Sequence, residues 1–328
     1  MLKNLPIILE ASRIFSLPMT IFSWLVIFVY SLIEAGNVLY GLLSLIGLCF
    51  AHLGANVLDD YIDYKLLIKT VNFNKDEYLK HSQKTKCRYI IEGKLIEQDV
   101  LKLSLTYLLV AFCIGLFLFA KCGLGVVYFA TVGALIALIY PIASRFCLSE
   151  LLIGIAFGPA LFGGVYYVMC GSYSWETIIL SLPTTFITVI LLYIHTIMDY
   201  KFDTDEGKRT LANIFATQTK SLAVLKTFII LTYLSILPLC IFDILDWQVS
   251  LVLLTIPLAV DLYKSMKEFT YNQENIPQRK WFHFPMENLD FFEKRGELSF
   301  MFRMLQARNL SIYFSILYTF AIILALLL

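Results

Sequence analysis

The chain has 328 residues, of which 59% are hydrophobic and only 16% are charged. Soluble domains are nearer half apolar and a quarter charged, so this composition argues against a soluble protein. The formal net charge of +1, with no basic patch interleaved with aromatic residues, argues against a nucleic-acid partner. The seven cysteines form no CxxC pair and lie mostly in apolar blocks, so we expect neither a disulfide framework nor a metal–thiolate site.

Nine apolar blocks follow one another along the chain, and most are close to the roughly 20 residues that cross a bilayer as a helix. Backbone groups inside a membrane must bond within their own segment, so these blocks should be helices. We therefore predict an all-α fold, a polytopic bundle of about nine transmembrane helices forming one domain over 1–328. The eighth block is short and contains Pro257, which predicts a kink or a tilt. The blocks are 15–33, 38–58, 100–120, 124–141, 150–170, 177–198, 222–242, 249–263 and 309–328.

Positive charge falls almost entirely on one side of this nine-helix map. Of the 26 lysines and arginines, all except Lys121 lie at one end of the predicted bundle. Positively charged loops stay in the cytoplasm. We therefore expect a multi-pass protein of the cytoplasmic membrane, with its N-terminus inside, its C-terminus outside and the lipid bilayer as a partner. The predicted cytoplasmic loops are 64–98, 199–221 and 269–308.

A polar stripe ends the second predicted helix on the cytoplasmic side. His52, Asn56, Asp59, Asp60 and Asp63 are spaced so that they share one face if the helix continues. Ionisable groups at membrane depth are costly and usually functional. We read the histidine mainly as a hydrogen-bonded residue of the bundle, with contact to a ligand as the alternative.

The sixth predicted helix ends in a second stripe, in which His195, Asp199 and Asp203 are four residues apart and are followed by Lys208 and Arg209. One such stripe alone is compatible with a solvated helix cap. Two stripes at the same depth on the same side favour a binding site. Their oxygen-only donors suit Mg²⁺, which takes one or two carboxylates plus phosphate oxygens, and the two basic residues would hold the same phosphates.

At these residues the sequence resembles the UbiA superfamily of intramembrane aromatic prenyltransferases. The second family motif, D-x-x-x-D followed by G-K-x-T-L, is matched by Asp199, Asp203 and residues 207–211. The first motif, N-D-x-x-D-x-x-x-D, is matched with departures: Asp59 replaces the Asn, and Leu67 stands where the last acid would fall. The missing acid leaves the number of Mg²⁺ ions open. Asn56, one helical turn before Asp59, is the nearest substitute donor.

Two further stretches extend the resemblance. Arg88 and Gly93 look like the family's Arg and Gly element before the third helix. The segment that contains Tyr140 and Glu150, followed by F-G-P, is similar to the dihydroxynaphthoate prenyltransferase branch. The glycines of this segment are read as helix-packing residues. The stretch 66–87 has no assigned role.

The resemblance implies a UbiA-like fold and Mg²⁺-dependent transfer of a polyprenyl group from a polyprenyl diphosphate to an aromatic acceptor, 1,4-dihydroxy-2-naphthoate in menaquinone biosynthesis. It implies catalytic roles for Asp60, Asp63, Asp199 and Asp203, and Mg²⁺ ligation by these four and Asp59. The implied substrate-binding residues are Asn56, Arg88, Tyr140, Glu150, Lys208 and Arg209.

Alternatives of other kinds stay open. One is transfer to another acceptor, such as 4-hydroxybenzoate or another quinone or lipid precursor. A secondary transporter ranks well below, because transporters more often place polar residues near the midplane and show paired repeats. The aromatic residues Trp281, Phe282, Phe284, Phe291 and Phe292 lie among charges in the 269–308 loop, which predicts an interfacial amphipathic segment.

Overall fold

The computed structural model describes residues 5–69, 87–143, 145–205 and 207–327, so most of the predicted loop segment 66–87 lies outside the described residues. The described residues are mostly helical and contain no strand. Nine of their helices are long and apolar enough to cross a membrane, which confirms the predicted fold class. They are α1 (Ile14–Ile33), α2 (Val38–Leu67), α3 (Glu97–Cys122), α4 (Leu124–Ala143), α5 (Ser149–Cys170), α6 (Glu176–Met198), α7 (Gln218–Ile241), α8 (Trp247–Tyr271) and α9 (Leu298–Ala325).

Helices α6 and α9 run through the middle of the bundle. In their apolar windows 67% and 61% of the residues are buried, compared with 11% in α3. Helix α6 contacts α5, α7 and α9, whereas α3 packs mainly against α2. The second acidic motif follows α6, so it is anchored to the most deeply buried helix of the nine.

Buried tyrosines tie the central helices together. The Tyr318 hydroxyl on α9 donates to the Leu180 carbonyl oxygen on α6 at 3.0 Å. The Tyr193 hydroxyl on α6 donates to the Ser221 carbonyl oxygen on α7 at 3.0 Å. A tyrosine combines a large apolar body with one polar atom that needs a partner. These bonds therefore fix the register of α6 against both of its neighbours.

Helices α5 and α8 each change their helix type next to a proline. Helix α5 contains a π-type turn at Ala156–Ala160, in which Gly158 has non-helical angles and precedes Pro159. A Cβ atom on Gly158 would lie 1.9 Å from Thr185 Oγ1, so only glycine fits there. Helix α8 changes from a 3₁₀ to an α-helix after Thr255, with proline in the first α turn. The eighth helix, for which the sequence predicted a kink or a tilt, thus changes its helix type just before Pro257.

The ends of two helices differ from the limits of the apolar blocks. Helix α2 continues through the first acidic stripe to Leu67, as one polar face requires. Helix α9 begins at Leu298, well before the apolar block that starts at residue 309. Arg303 and Arg308, which the charge pattern assigned to a loop, are buried residues of this helix. Their hydrogen bonds within the protein let the helix pass through charged positions that hydropathy excludes.

Short elements join the long helices at the end of the bundle that carries both acidic stripes. A helix at Leu5–Ala11 precedes α1, and another at Arg88–Ile91 precedes α3. Arg295, just before α9, donates to Glu10 at 3.2 Å, which connects the two ends of the chain at this face. All seven cysteines are free thiols, as the sequence predicted.

Candidate active site

The first acidic stripe lies on the last turns of α2. Asp59 and Asp60 are only 4% and 2% exposed, whereas Asp63 is partly exposed. A buried carboxylate is stable only when it is paired, hydrogen-bonded or bound to a metal. Asp59 and Asp60 therefore need a partner that stabilises their negative charge.

That partner is Arg13, a residue that the sequence analysis counted only as a marker of topology. Its guanidinium Nη2 forms a close ion pair with Asp60 Oδ1, and Nη1 lies 3.5 Å from Asp59 Oδ2. Arg13 has a left-handed backbone, with φ of 50°, between the helix Leu5–Ala11 and α1. A single arginine directly before the first apolar block was the only sequence signal for this contact.

His52 and Asn56 join the same stripe to the start of α1. The His52 ring nitrogens contact the hydroxyls of Ser16 and Thr20. The Asn56 amide donates to Ser16 Oγ at 3.1 Å and to the Ser12 carbonyl oxygen at 3.4 Å. The histidine is therefore a hydrogen-bonded residue of the bundle, the role that the sequence analysis favoured. Its hydrogen bonds and those of Asn56 hold α1 against the polar face of α2.

The second acidic stripe spans the end of α6 and the short helix Tyr200–Asp205. His195 Nδ1 lies 3.2 Å from Asp199 Oδ2, one helical turn away. Asp203 is buried, and Lys208 Nζ lies 3.6 Å from its Oδ1. Gly207, with φ of 70°, allows the chain to turn back so that the Lys208 N–H donates to the Asp203 carbonyl oxygen at 2.8 Å. This turn places the lysine beside the carboxylate.

The segment after this turn is held by hydrogen bonds. The Asn213 amide donates to the Lys208 carbonyl oxygen at 2.7 Å and accepts from the Thr210 N–H at 2.8 Å. The Cys147 N–H, between α4 and α5, donates to the Arg209 carbonyl oxygen at 2.8 Å. Lys208 therefore faces the acidic stripe, while the side chain of Arg209 is exposed.

The two acidic stripes border one apolar cluster. Its buried members include Val57, Cys87 and Tyr89, and Phe202, from between Asp199 and Asp203, packs against it. Tyr61 and Tyr64 of the first stripe pack against the same cluster. The Cys87 thiol donates to the Asp60 carbonyl oxygen at 3.1 Å. Tertiary structure thus brings together two motifs that are far apart in the sequence.

Tyr89 is a second residue of this region that the sequence analysis missed. It is 3% exposed, and its hydroxyl lies close enough to the Asp60 carboxylate to be affected by its charge. Burial raises the pKa of Tyr89 above the ordinary tyrosine value, and the negative charge of Asp60 raises it further. The hydroxyl is therefore a neutral donor beside the first stripe.

Arg88, predicted to bind substrate, lies in a separate network of charges. Its Nε donates to Glu92 at 2.8 Å and its Nη1 to Glu297 at 3.2 Å, and Glu297 also accepts from Arg295. Burial raises the pKa of Glu297 in spite of these two arginines. Burial also acts to raise the pKa of Glu92, but the bonds from Arg88 and Lys94 outweigh it and lower that pKa. Arg88 thus connects α9 to the segment before α3.

Tyr140 and Glu150 were also predicted to bind substrate, and Glu150 lies against the helix that carries the second stripe. Glu150 is 5% exposed, and its Oε1 accepts a 3.4 Å bond from the hydroxyl of Thr196. Its Oε2 is buried and has no hydrogen-bond partner among the described atoms. Tyr140 is partly buried near the end of α4. Because Thr196 lies between His195 and Asp199, Glu150 is positioned by the helix that carries the second stripe.

The described residues include no group of three or more acidic, histidine or cysteine side chains close enough to hold a metal ion by themselves. The donors present are carboxylate oxygens, paired with Arg13, His195 and Lys208. Mg²⁺ needs only one or two carboxylates when phosphate oxygens and water complete its coordination. The chemistry of these donors therefore fits Mg²⁺ bound together with a phosphate ligand.

Comparison with known proteins gives a consistent set of matches. The model of the UbiA prenyltransferase family matches residues 16–286. A curated protein of Ailuropoda melanoleuca, UbiA prenyltransferase domain-containing protein 1, is 32% identical over 136 residues, which are 40% of this chain and 38% of that protein. The match thus spans less than half of that relative's length.

Solved structures have the same architecture at low sequence identity. The apo structure of a UbiA homologue from Aeropyrum pernix K1 has a TM-score of 0.59 at 16% identity, over 93% of this chain and 97% of that one. A UbiA homologue from Archaeoglobus fulgidus, solved with DMAPP and Mg²⁺, has a TM-score of 0.53 at 12% identity, over 93% and 99%. At these identities the similarity establishes the fold.

Proposed function

Because the chain belongs to the UbiA prenyltransferase family, we propose that it transfers a prenyl group from a prenyl diphosphate to an aromatic acceptor inside the membrane. One observation carries the proposal. Two acidic motifs from different helices border one apolar cluster, against which Phe202 of the second motif and Tyr61 and Tyr64 of the first are packed. Carboxylates beside an apolar region suit a substrate with a charged head and a hydrocarbon tail.

The carboxylates of Asp59, Asp60, Asp63, Asp199 and Asp203 would hold Mg²⁺ in this proposal. When bound, Mg²⁺ neutralises the charge that develops on the departing diphosphate. The Archaeoglobus fulgidus homologue that was solved with DMAPP and Mg²⁺ supports this assignment. Asn56 donates through Nδ2 to Ser12 and Ser16, so Oδ1 is the atom through which it would serve as the substitute donor in this stripe.

Three cationic side chains of the chain act on the diphosphate. Lys208 is held beside Asp203, and Arg209 is exposed at the adjacent position. Charge-assisted hydrogen bonds from such groups stabilise a phosphate leaving group. Arg88 contributes from the neighbouring network, in which Glu92 and Glu297 fix its orientation.

The reaction breaks the bond between the allylic carbon and the diphosphate oxygen, and the electron pair leaves with the diphosphate. The electron-rich acceptor ring then forms a bond to the allylic carbon, and the attacked ring carbon loses its proton, or its carboxyl group as CO₂, so that the ring becomes aromatic again. Aromatic side chains tolerate a nearby cation. Tyr61, Tyr64 and Phe202 are the aromatic residues that line the apolar cluster at the acidic stripes.

For the acceptor we propose 1,4-dihydroxy-2-naphthoate, as in menaquinone biosynthesis, on the basis of the sequence around Tyr140 and Glu150. The free Oε2 of Glu150 is a buried acceptor of hydrogen bonds, suited to a phenolic hydroxyl. Tyr140 would contact the ring from α4. The excess of positive charge near the acidic stripes supports the proposal that this end of the bundle faces the cytoplasm, with the N-terminus inside and the C-terminus outside.

Transfer of a radiolabelled polyprenyl group by the purified protein tests the proposal. The assay offers 1,4-dihydroxy-2-naphthoate and 4-hydroxybenzoate in parallel, with and without Mg²⁺. Asp199→Ala should abolish product. Asp205→Ala is the matched control, because Asp205 is an exposed acid of the short helix that follows Asp199 and lies outside the motif.

Each outcome has a distinct meaning. Mg²⁺-dependent product on the naphthoate alone supports both the reaction and the acceptor. Product on 4-hydroxybenzoate alone keeps the reaction and overturns the acceptor. No product on either, with diphosphate binding unaffected by a chelator and by Asp199→Ala, contradicts the enzymatic function and favours a transporter.

A further inference from the structure

The segment between α8 and α9 runs back along α9 instead of projecting from the bundle. We call residues 279–287 the strap. It contains a single 3₁₀ turn, Trp281–His283, and otherwise has no regular structure. The Asn309 amide donates to the His283 and Pro285 carbonyl oxygens, both at 2.6 Å. The backbone of the strap is thus bound to a residue inside a membrane-spanning helix.

The contacts with α9 give the depth of the strap. The Tyr313 hydroxyl donates to the Phe284 carbonyl oxygen at 2.5 Å. Tyr313 lies about 22 Å along α9 from Leu298, at 1.5 Å per residue. It also lies one turn inside the apolar block that begins at Asn309. The strap therefore reaches the level at which α9 enters the apolar part of the bundle.

The hydrogen bonds of the strap satisfy its backbone polar groups at the depth where α9 enters the apolar part of the bundle. Irregular backbone is tolerated at membrane depth only where its polar groups are satisfied by protein or water. Carbonyl oxygens of three consecutive strap residues accept bonds from α9, and Arg308 adds a 3.1 Å bond to Pro285. Side chains of one helix thus replace the water that would otherwise solvate this backbone.

Ion pairs hold the inner face of the strap against α8 and α9. His283 Nε2 lies 2.7 Å from Asp261 Oδ2 on α8, and Lys280 pairs with the same carboxylate. Arg308 Nη2 donates to Glu287 Oε2 at 2.9 Å. The side chains of Lys280, His283 and Glu287 are therefore directed at the protein.

The outer face is aromatic. Trp281 is 89% exposed and Phe284 is 63% exposed. Arg279, beside them, is also exposed. Tryptophan and other aromatic side chains are enriched at membrane interfaces, where basic groups reach the lipid phosphates. Exposed aromatic rings next to the mouth of a membrane-spanning bundle thus fit the headgroup region of a bilayer.

We infer that the strap is an interfacial anchor, which inserts Trp281 and Phe284 into the headgroup region of the bilayer that the bundle spans. The partner is the phospholipid surface, and Arg279 contacts its phosphates. The bilayer is continuous with the lipid-facing surface of α9 beside the strap. The inference does not depend on the proposed reaction, because it needs only the membrane location of the helices.

Fluorescence quenching in reconstituted vesicles tests the anchor. The contribution of Trp281 is the difference between the spectrum of the wild type and that of Trp281→Phe, a change at an exposed side chain that leaves the fold intact. Phosphatidylcholine with brominated acyl chains should remove most of this difference signal. Iodide in the aqueous phase should leave most of it. Trp175→Phe, at another exposed tryptophan, controls for the loss of one fluorophore.

The opposite results would overturn the anchor. Strong quenching by iodide with none by brominated lipid places Trp281 in water. Protection from both quenchers places it against protein, either a second copy of the chain or another partner. A second measurement uses Asn309→Ala, which removes two of the backbone bonds, and the brominated lipid should then quench Trp281 less as the strap detaches from α9.

Discussion

Two arginines near the same end of the bundle are held by different kinds of partner. Arg303 is 0% exposed and lies 4.9 Å from the Phe269 ring centre. It donates to the carbonyl oxygens of Ser265, Asn275 and Ser299, at 3.0, 3.0 and 2.8 Å. Arg13 instead pairs with two carboxylates of the first acidic motif.

The comparison separates a structural arginine from a functional one. Carbonyl oxygens of the backbone are neutral, and they cannot leave without unfolding the segment that carries them. The carboxylates of Asp59 and Asp60 carry negative charge, so under the proposed function Arg13 and Mg²⁺ would compete for the same oxygens. The type of partner, more than the degree of burial, indicates which arginine takes part in function.

The largest expected effect is the loss of the carboxylates that Arg13 holds. Asp60→Asn should lower the rate of prenyl transfer by about 10³-fold, because charge stabilisation by a bound metal contributes several kcal/mol. Asp203→Asn should have an effect of the same order. The measurement is the initial rate with saturating Mg²⁺. If both variants keep the wild-type rate while Asp199→Ala is inactive, the first motif takes no part in catalysis.

Arg303→Met should act on stability and not on the rate. The substitution removes three hydrogen bonds to backbone carbonyl oxygens, which costs about 3 kcal/mol, or about 10²-fold in the unfolding equilibrium. Thermal unfolding in detergent micelles measures the loss. The rate of transfer per folded molecule at low temperature should match the wild type. A lower rate per folded molecule would contradict the structural role of Arg303.

Arg13→Gln should act on the rate of transfer and not on stability, the reverse of Arg303→Met. Removing the guanidinium leaves Asp59 and Asp60 more negative, so Mg²⁺ binding without diphosphate should strengthen by about tenfold. The rate of transfer should fall, since a positive charge beside the leaving group is lost. Arg13→Lys keeps the charge and is the matched comparison. Unchanged Mg²⁺ affinity in both variants would show that Arg13 does not compete with the metal.

The smallest effect concerns the pH dependence of the strap. Hydrogen bonds from Arg308 hold the pKa of Glu287 below its ordinary value. Its ion pair therefore stabilises the fold above the unfolded pKa of about 4.3, and the contribution is lost as pH falls through the lowered folded value. Glu287 is half exposed, so the contribution is at most about 1 kcal/mol. The difference in melting temperature between wild type and Glu287→Gln should vanish on acidification, and a constant difference would refute it.

Much of the fold was predictable because the bilayer imposes a strong rule on sequence. A spanning helix needs a long apolar run, and nine runs were visible; all nine are helices of sufficient length. The start of α9 was not visible in the sequence, because Arg303 and Arg308 interrupt the run of apolar residues. Arg303 donates to Asn275 and Arg308 donates to Glu287, residues of the preceding loop whose positions no local pattern reveals.

The acidic stripes were predictable in part for a related reason. A helical spacing of three or four residues is a local property, so the common face of Asn56 and Asp60 follows from the sequence alone. The ion pair of Asp60 with Arg13 joins residues 47 positions apart, and nothing in the local pattern selects that arginine from the others. Tyr89 was missed because a tyrosine in a short apolar run gives no sign that its hydroxyl is buried.

The sequence by itself determined the number of spanning helices, the side on which positive charge accumulates and the position of both acidic motifs at helix ends. Each of these depends on neighbours along the chain and on the apolar solvent that the chain must match. Only the tertiary structure decided which cation meets which carboxylate, how Glu150 meets Thr196 and how the strap lies along α9. These contacts depend on how the helices pack, and packing is set by the shapes of many side chains acting together.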